Sequence, residues 1–269
     1  MDELPLVSVI MSEFNTNVQL LKESIKSVLN QEYKNLELII IDDCGTNNLK
    51  DIKSIFNDDR LKIYKNTVNL GLVYSLNKAI KLSKGKYIAR MDTDDYSYSN
   101  RIKLQVDFLE KNPQIALVGS RVDKYDGEKI WGETCFYGEV TRNNLLKGST
   151  LTHPSIMVKA EVIKSIGGYL NYKRCEDYAT WIELFINDYK MYIMKEKLLR
   201  YHLSLEDYKK RTLNTRRDFF RMINEEYIKL KPTLFQIIEI YTKNIIAGIL
   251  PWKIMYNYHR RKGKIYEKN

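Results

Sequence analysis

Tyr87-Ile88-Ala89-Arg90-Met91-Asp92-Thr93-Asp94-Asp95 decides how this chain is read. Its first five residues form an apolar run that reads as a buried strand. Three carboxylates then fall within four residues, where the strand opens into a loop. Clustered acids repel one another and destabilise a fold unless a cation or hydrogen-bond donors satisfy them. Hard oxygen ligands suit Mg2+ or Mn2+, and Mg2+ commonly takes one or two carboxylates together with substrate phosphates. The stretch therefore carries two readings. One is a divalent-metal site that holds a phosphorylated ligand; the other is a solvated acidic turn, for which Asp is a common residue.

Upstream of this stretch, Val7-Ser8-Val9-Ile10-Met11 reads as a first strand. Residues 18–30 carry Leu21, Ile25, Val28 and Leu29 at helical spacing. A second strand over 36–41 ends in Asp42-Asp43, a short helix covers 49–56, a third strand covers 61–64, and a helix over 73–82 is closed by Lys84-Gly85. Downstream, a helix over 101–111 is stopped by Asn112-Pro113, and 115–118 is a fifth strand. This β-α-β-α-β-α-β order predicts an α/β fold with a mostly parallel central sheet and helices on both faces. Ligands in such sheets bind beyond the carboxyl ends of the strands. Phe14 and Asn15, Asp42 and Asp43, and Asp92 to Asp95 each follow such an end, so they are predicted to converge on one rim. Past residue 120 the pattern loosens. Strands are expected at 156–158 and 191–194, helices at 160–166 and 177–187, and a helical basic segment from Leu205.

With 269 residues, 44% hydrophobic and 29% charged, the chain suits one large α/β domain with an appendage, of ordinary globular composition. Met1-Asp2-Glu3-Leu4-Pro5 starts acidic and runs into a strand, so no secretory signal is expected. Cys44, Cys135 and Cys175 are an odd number at no metal-ligand spacing, which suits a reducing cytosol and argues against a disulfide framework. The three histidines form no zinc motif. The net charge of +10 lies entirely in residues 209–269, which hold 15 Lys/Arg against 5 Asp/Glu. The first 208 residues are neutral overall, so the expected division into a body (1–205) and a basic extension (206–269) points to an anionic partner of the extension. Phe235, Ile237, Ile238, Ile245, Ile246, Ile249, Leu250 and Trp252 are interrupted by Glu239, Lys243 and Lys253. No run there reaches the roughly 20 apolar residues that span a bilayer. The pattern suits an interfacial membrane contact; the alternatives are a helical hairpin packed on the body and a dimer contact. Nucleic acid is not expected, because no nucleic-acid module accompanies the charge.

Other constellations carry paired readings. Asp42 reads as a turn-forming Asx residue, and Asp43 as an acceptor for a nucleobase N–H. Asn69-Leu70-Gly71 is sufficient as a loop turn before a helix; a phosphate role would lack any GxGxxG or Walker A support. Glu176-Asp177 is either a helix-capping and dipole pair or a source of the general base. His153-Pro154-Ser155 reads as a rigid turn with a structural histidine, and His153 as a substrate contact is the alternative. Arg200-Tyr201-His202 follows the last predicted strand, offering cations to a diphosphate or forming a solvated strand end.

Taken in order, these pieces resemble the family-2 glycosyltransferases of the GT-A fold, a Rossmann-like architecture. The match runs through Val7 to Met11, Ser24-Ile25-Lys26-Ser27-Val28-Leu29-Asn30-Gln31-Glu32-Tyr33, Leu38-Ile39-Ile40-Ile41-Asp42-Asp43 and Asn69-Leu70-Gly71. It continues with Gly85 to Asp95, His153-Pro154-Ser155-Ile156-Met157, Gly167-Gly168-Tyr169 and Glu176-Asp177-Tyr178-Ala179-Thr180-Trp181. It covers roughly the first 205 residues, and an ordered set is far more specific than any one motif. The resemblance implies inverting transfer of a hexosyl or N-acetylhexosaminyl group from a UDP-sugar, with Mn2+ or Mg2+ as cofactor. It implies nucleotide binding at Ser12, Phe14, Asn15, Asp43, Asn69 and Asp92, metal binding at Asp94 and Asp95, and Asp177 as catalytic base. His153, Glu176, Arg200 and His202 become candidate substrate or diphosphate contacts. By analogy the acceptor is a glycan or lipid-linked oligosaccharide of a bacterial surface polysaccharide. The enzyme is expected in the cytoplasm, peripheral at the inner face of the plasma membrane. The chain departs from the family at Ser12-Glu13-Phe14, where Pro and Tyr are usual, and at Gly45-Thr46-Asn47, where Ser-Thr-Asp is usual. Two other classes compete: a sugar nucleotidyltransferase, which calls for a Gly-rich basic loop that residues 9–15 lack, and a non-enzymatic basic membrane-binding protein.

Overall fold

β1 (Val7–Glu13), β2 (Leu36–Asp42), β3 (Leu61–Lys65) and β4 (Tyr87–Arg90) lie parallel in the order β3-β2-β1-β4. The computed structural model describes residues 4–209 and 216–265. The expectation about Met1 to Glu3, and part of the basic segment, including Lys210, Arg211 and Lys268, lie outside the described residues. Every residue of β2 is buried, as expected of a strand covered on both faces. Alternate residues feed two cores: Ile39 and Ile41 one, Leu38 and Ile40 the other. α1 (Val18–Leu29) and α4 (Arg101–Lys111) contribute Leu21, Ile25, Ile102 and Val106 to the second core. α3 (Leu72–Leu82), α6 (Ala160–Ser165) and α7 (Glu176–Ile186) contribute Leu76, Ile163 and Trp181 to the first. Glu13 pairs with Asp42 and Asp42 with Lys65, so three strands end level and the loops after them share one rim.

Beyond β4 the sheet becomes mixed. β9 (Met157–Lys159) is inserted antiparallel between β4 and β6 (Ile115–Tyr125). β10 (Lys190–His202) runs parallel to β6 and antiparallel to β5 (Tyr96–Ser97) and β8 (Gly138–Glu139), and β7 (Ile130–Glu133) pairs with β6. β10 runs well past its expected end near Met194. Lys195, Glu196 and Lys197 are exposed, and the register slips between Met194 and Lys197 and again before Leu199. Such bulges break the period-2 alternation that identifies a strand. Arg200, Tyr201 and His202, expected beyond the last strand, therefore form its end.

The described elements after residue 205 pack into the body. α9 (Arg217–Glu225), a 3-10 turn at Tyr227–Leu230 and α10 (Leu234–Ile249) place Met222, Ile223, Tyr227, Leu230 and Ile240 in the same core as Trp181. The Tyr227 hydroxyl donates to the Leu146 carbonyl at 2.9 Å, tying the turn to α5 (Arg142–Lys147). α8 (Leu205–Lys209) and α11 (Trp252–Ile265) close a smaller cluster in which Trp252, Met255 and Tyr256 pack on Trp131, Leu203 and Tyr208. Arg260 reaches Asp126 at 3.3 Å. Among the described residues, no helix is long and apolar enough to cross a membrane.

Candidate active site

The loops after β1, β2 and β3 are bound to one another by their own side chains. Glu13 is fully buried, and its Oε1 accepts from the Thr16 N–H at 3.0 Å and from Asn47 Nδ2 at 2.7 Å. Asn15 stands at φ 57°, and its Oδ1 takes the Thr46 N–H at 2.7 Å and the Thr46 hydroxyl at 3.0 Å. Gly45 permits this closeness, since a Cβ there would lie 3.0 Å from the Asn15 nitrogen and 3.1 Å from Glu13 Oε2. Glu13, at the position where the chain departs from the family, thus ties the loops through Oε1 while its buried Oε2 has no partner. Asp42 accepts from the Gly45 N–H at 3.0 Å and faces Lys65 at 3.4 Å, the turn role read from sequence.

Asp43 is buried, and its carboxylate takes three donors at 2.8 Å: Asn66 Nδ2, the Leu70 N–H and the Gly71 N–H. It thereby holds Asn69-Leu70-Gly71 over the rim, with Gly71 at φ 87°. Asn69 and Phe14 are exposed, and Ser12 is half-buried at the end of β1. The hydroxyls of Thr16 and Thr93 lie 2.6 Å apart, and Ser24 donates to the Asp92 carbonyl at 3.0 Å. These bonds join the β1 loop and α1 to the acidic stretch, so the predicted convergence is observed.

The three acids of that stretch take different partners. Asp92 forms a bidentate pair with Arg90, with Nη1 to Oδ2 at 2.8 Å and Nη2 to Oδ1 as the second bond. Asp94 Oδ2 lies 3.3 Å from His202 Nδ1, and Asp95 Oδ1 accepts from the His202 N–H at 2.7 Å. Asp95 is only 2% exposed, and its Oδ2 has no partner. Burial first, then the charges of Asp92 and Asp94, push its carboxyl well above the usual range. A buried orphan oxygen beside Asp94 and His202 fits a hard divalent cation, which favours the ionised carboxylate. Among the described residues, no three His, Cys, Asp or Glu side chains are set to hold an ion by themselves. Arg200 lies two residues before His202, its guanidinium 4.8 Å and 4.4 Å from the ring centres of Tyr96 and Tyr125.

Arg90 links this rim to α7. It is 3% exposed; burial alone would lower its pKa, yet Asp92, Tyr169, Asp95 and Glu176 together hold it above the usual value. Glu176 and Asp177 occupy the first turn of α7, whose N-cap, Cys175, makes no side-chain capping bond. Negative charge is favoured at a helix N-terminus. Burial first and the Asp177 charge second push the Glu176 carboxyl up to about 7. Asp177 is the more open of the two, with the Ser149 hydroxyl 3.5 Å from its Oδ2, and burial raises its pKa as well. His153 Nδ1 stands 3.9 Å from Glu176 Oε1, and its ring packs on Tyr169 and Trp181 at 4.9 Å and 5.8 Å between centres. Burial, then Arg90, hold His153 well below its usual pKa, so it is a neutral core imidazole.

Sequence reasoning overlooked two arginines. Arg90 was absorbed into an apolar run, although a charge inside a buried strand is itself a signal. Arg101 is fully buried at the start of α4, donates to the Arg90 carbonyl at 2.9 Å, and is pushed down to about 9 by burial. Gly168 also gains a reason. At φ 89° it brings the chain against Asn77, whose side chain accepts the Tyr169 N–H at 2.8 Å and donates to the Tyr169 carbonyl at 2.9 Å.

The profile of Glycosyl transferase family 2 matches residues 8–167. Putative glycosyltransferase EpsE of Bacillus subtilis (strain 168) is 31% identical over 268 residues, covering 97% of this chain and 96% of that protein. The UDP-Glc:alpha-D-GlcNAc-diphosphoundecaprenol beta-1,3-glucosyltransferase WfaP of Escherichia coli is 30% identical, over 67% of this chain and 70% of its own. Among solved structures, the mannosyltransferase PcManGT from Pyrobaculum calidifontis, in complex with GDP-Man and Mn2+, has a TM-score of 0.65 at 16% identity. That match spans 96% of this chain and 80% of the other, and it shows a shared fold.

Proposed function

This chain belongs to Glycosyl transferase family 2, and on that premise we propose that it moves a sugar, with inversion, from a UDP-sugar to a hydroxyl of a lipid-linked glycan in bacterial surface polysaccharide synthesis. The observation that carries the proposal is the meeting of Asp94, Asp95 and His202, with the buried Asp95 Oδ2 left without a partner. WfaP, whose name gives UDP-Glc as donor and a diphosphoundecaprenol-linked GlcNAc as acceptor, supports the choice of substrates. PcManGT, bound to GDP-Man and Mn2+, supports a divalent ion.

In this reading Asp94 and Asp95 would hold Mn2+ or Mg2+, which when bound would supply positive charge to the diphosphate leaving group. Arg90 fixes Asp92 for the ribose. Asp43 keeps the Asn69-Leu70-Gly71 loop in place against the nucleoside, and Phe14 offers its exposed ring to the base. Arg200 and His202 face the diphosphate. Asp177 takes the proton of the acceptor hydroxyl as its oxygen bonds to the anomeric carbon; the bond from that carbon to the diphosphate breaks on the opposite face, and UDP leaves. A raised carboxyl pKa suits a general base. A lipid-linked acceptor places the work at the cytoplasmic face of a membrane, with the basic extension as the contact.

The test is a screen of nucleotide sugars with a diphospholipid-linked GlcNAc acceptor, reading UDP release. Acceptor-dependent release from one UDP-sugar, abolished by EDTA, is the expected result. UDP release that is EDTA-insensitive, or an absence of UDP release together with pyrophosphate release from a sugar 1-phosphate and UTP, would overturn the proposal, the latter in favour of a nucleotidyltransferase.

A further inference from the structure

α10 turns an apolar side away from the body. At about 100° per residue, Leu234, Phe235, Ile238, Ile245, Ile246 and Ile249 share an arc roughly 120° wide. They are 41% to 74% exposed. Thr242 is the one polar residue inside that arc, and Glu239 and Lys243 pair with each other at 2.5 Å along its border. The packing need of the helix is met by its opposite side, where Ile240 and Asn244 are buried. The isoleucines of the sequence therefore divide between core and surface, and the outward share is a continuous apolar face of the kind that marks an interaction site.

What lies beside this face identifies its occupant. Pro251 joins α10 to α11, where Trp252 has Lys209 Nζ at 5.3 Å and Lys253 Nζ at 5.2 Å from its ring centre. Ile254 and Tyr258 are more than half exposed. Between Leu234 and Ile265 there are six Lys/Arg and a single Glu. A second copy docked on this face would bring like charge against like charge. An anionic bilayer offers the opposite sign along with an apolar layer, and each basic residue near such a surface adds attraction that salt screens. Trp252 itself packs on Trp131, Leu203 and Tyr208, so the exposed apolar arc of α10 and the lysines near it carry the interfacial pattern.

We propose that α10 lies in the plane of an anionic bilayer surface, with Phe235, Ile238 and Ile249 at the acyl boundary and the exposed Lys253 and Arg261 of α11 among the lipid phosphates. The inference deepens the membrane-facing reading of the site, but its ground is exposure and charge. Full-length protein is floated with vesicles of phosphatidylcholine, with and without phosphatidylglycerol, in the absence of donor and acceptor. Wild type should bind only the anionic vesicles and release as NaCl rises. The triple variant Phe235→Gln, Ile238→Gln, Ile249→Gln should partition at least about tenfold more weakly with unchanged melting temperature. Wild type that ignores anionic vesicles at low salt, a triple variant that binds equally well, or a wild-type dimer that the triple variant dissolves would each overturn the proposal. The last result would assign the face to a second copy. Because flotation needs no turnover, its failure leaves the transfer reaction standing, and a failed donor screen leaves lipid binding standing.

Discussion

The rim over β1 to β3 and the floor between β4 and α7 are both rich in acids, and the acids do opposite things. On the rim, Asp43 takes three donors at 2.8 Å, while Asp42 and Glu13 fold their own loops. On the floor, Asp95 leaves an oxygen unmatched, Glu176 is pushed up to about 7, and Arg90 answers several carboxyls at once. Asp42 and Asp43 are satisfied by the chain itself and shape their loops, while Glu13 bonds through Oε1 and keeps a buried Oε2 without a partner. On the floor, Asp95 keeps a buried oxygen without a partner, and burial pushes both Asp95 and Glu176 toward the protonated form. In the sequence, Asp42-Asp43 and Asp92 to Asp95 look alike, because both are acids at a strand end; partners separate them.

The sharpest break between the two regions is expected at Asp177. Asp177→Asn should reduce turnover by about 10²- to 10⁴-fold while leaving UDP affinity close to wild type, by UDP-release kinetics and calorimetry. Near-normal turnover would assign Asp177 to shaping the first turn of α7, a structural role like that of the loop-shaping rim acids. Arg90→Met comes next. Removing one partner of a buried ion pair leaves uncompensated charge, at a cost of roughly 3–5 kcal/mol in urea unfolding. Arg90→Lys keeps the charge but loses the bidentate geometry and should fall between. If Arg90→Met is as stable as wild type, the floor is not an electrostatic unit.

Glu176 gives the comparison a pH signature. Its carboxyl rises from 4.5 unfolded to about 7 folded, so across that window the folded protein holds a proton that the unfolded chain has lost. The associated stability is fully present below about pH 4.5 and is lost as pH rises through about 7. Relative to Glu176→Gln, wild type should lose roughly 3 kcal/mol across that window, read from unfolding at a series of pH values. Parallel curves would show that Glu176 is ionised in the folded state, like the rim acids. The smallest effect belongs to the rim. Asp43→Asn cannot accept from all three donors and should cost about 1–3 kcal/mol, with a raised donor KM and little change in kcat. Unchanged stability with abolished UDP binding would instead give Asp43 to the nucleobase directly.

How far the sequence could be read follows the same division. α2 (Leu49–Phe56) and α4 occupy their expected spans, because an Asn48 cap and an Asn112-Pro113 stop are local signals. The parallel strands were legible as apolar runs between turn residues. β10 was cut short because its bulges and exposed Lys195-Glu196-Lys197 erase periodicity, and two-residue strands such as β5 and β8 exist only through their tertiary pairing. Convergence of the site was legible, since strand ends imply it. The bonding of Asp43 was not, because its three partners lie 23, 27 and 28 residues further along the chain. Arg90 stayed hidden for a related reason: beside its local pair with Asp92 it answers Tyr169 and Glu176, which only the fold brings near it.

The most direct test of the floor as a cation and diphosphate site is calorimetric titration of UDP into wild type and Asp95→Asn, each with Mn2+ and with EDTA. Wild type is expected to bind UDP with Mn2+ and to lose most of that affinity in EDTA, while Asp95→Asn, folded by circular dichroism, binds weakly in both. Equal UDP affinity in Mn2+ and EDTA, or an Asp95→Asn variant with full Mn2+-dependent binding, would contradict the account.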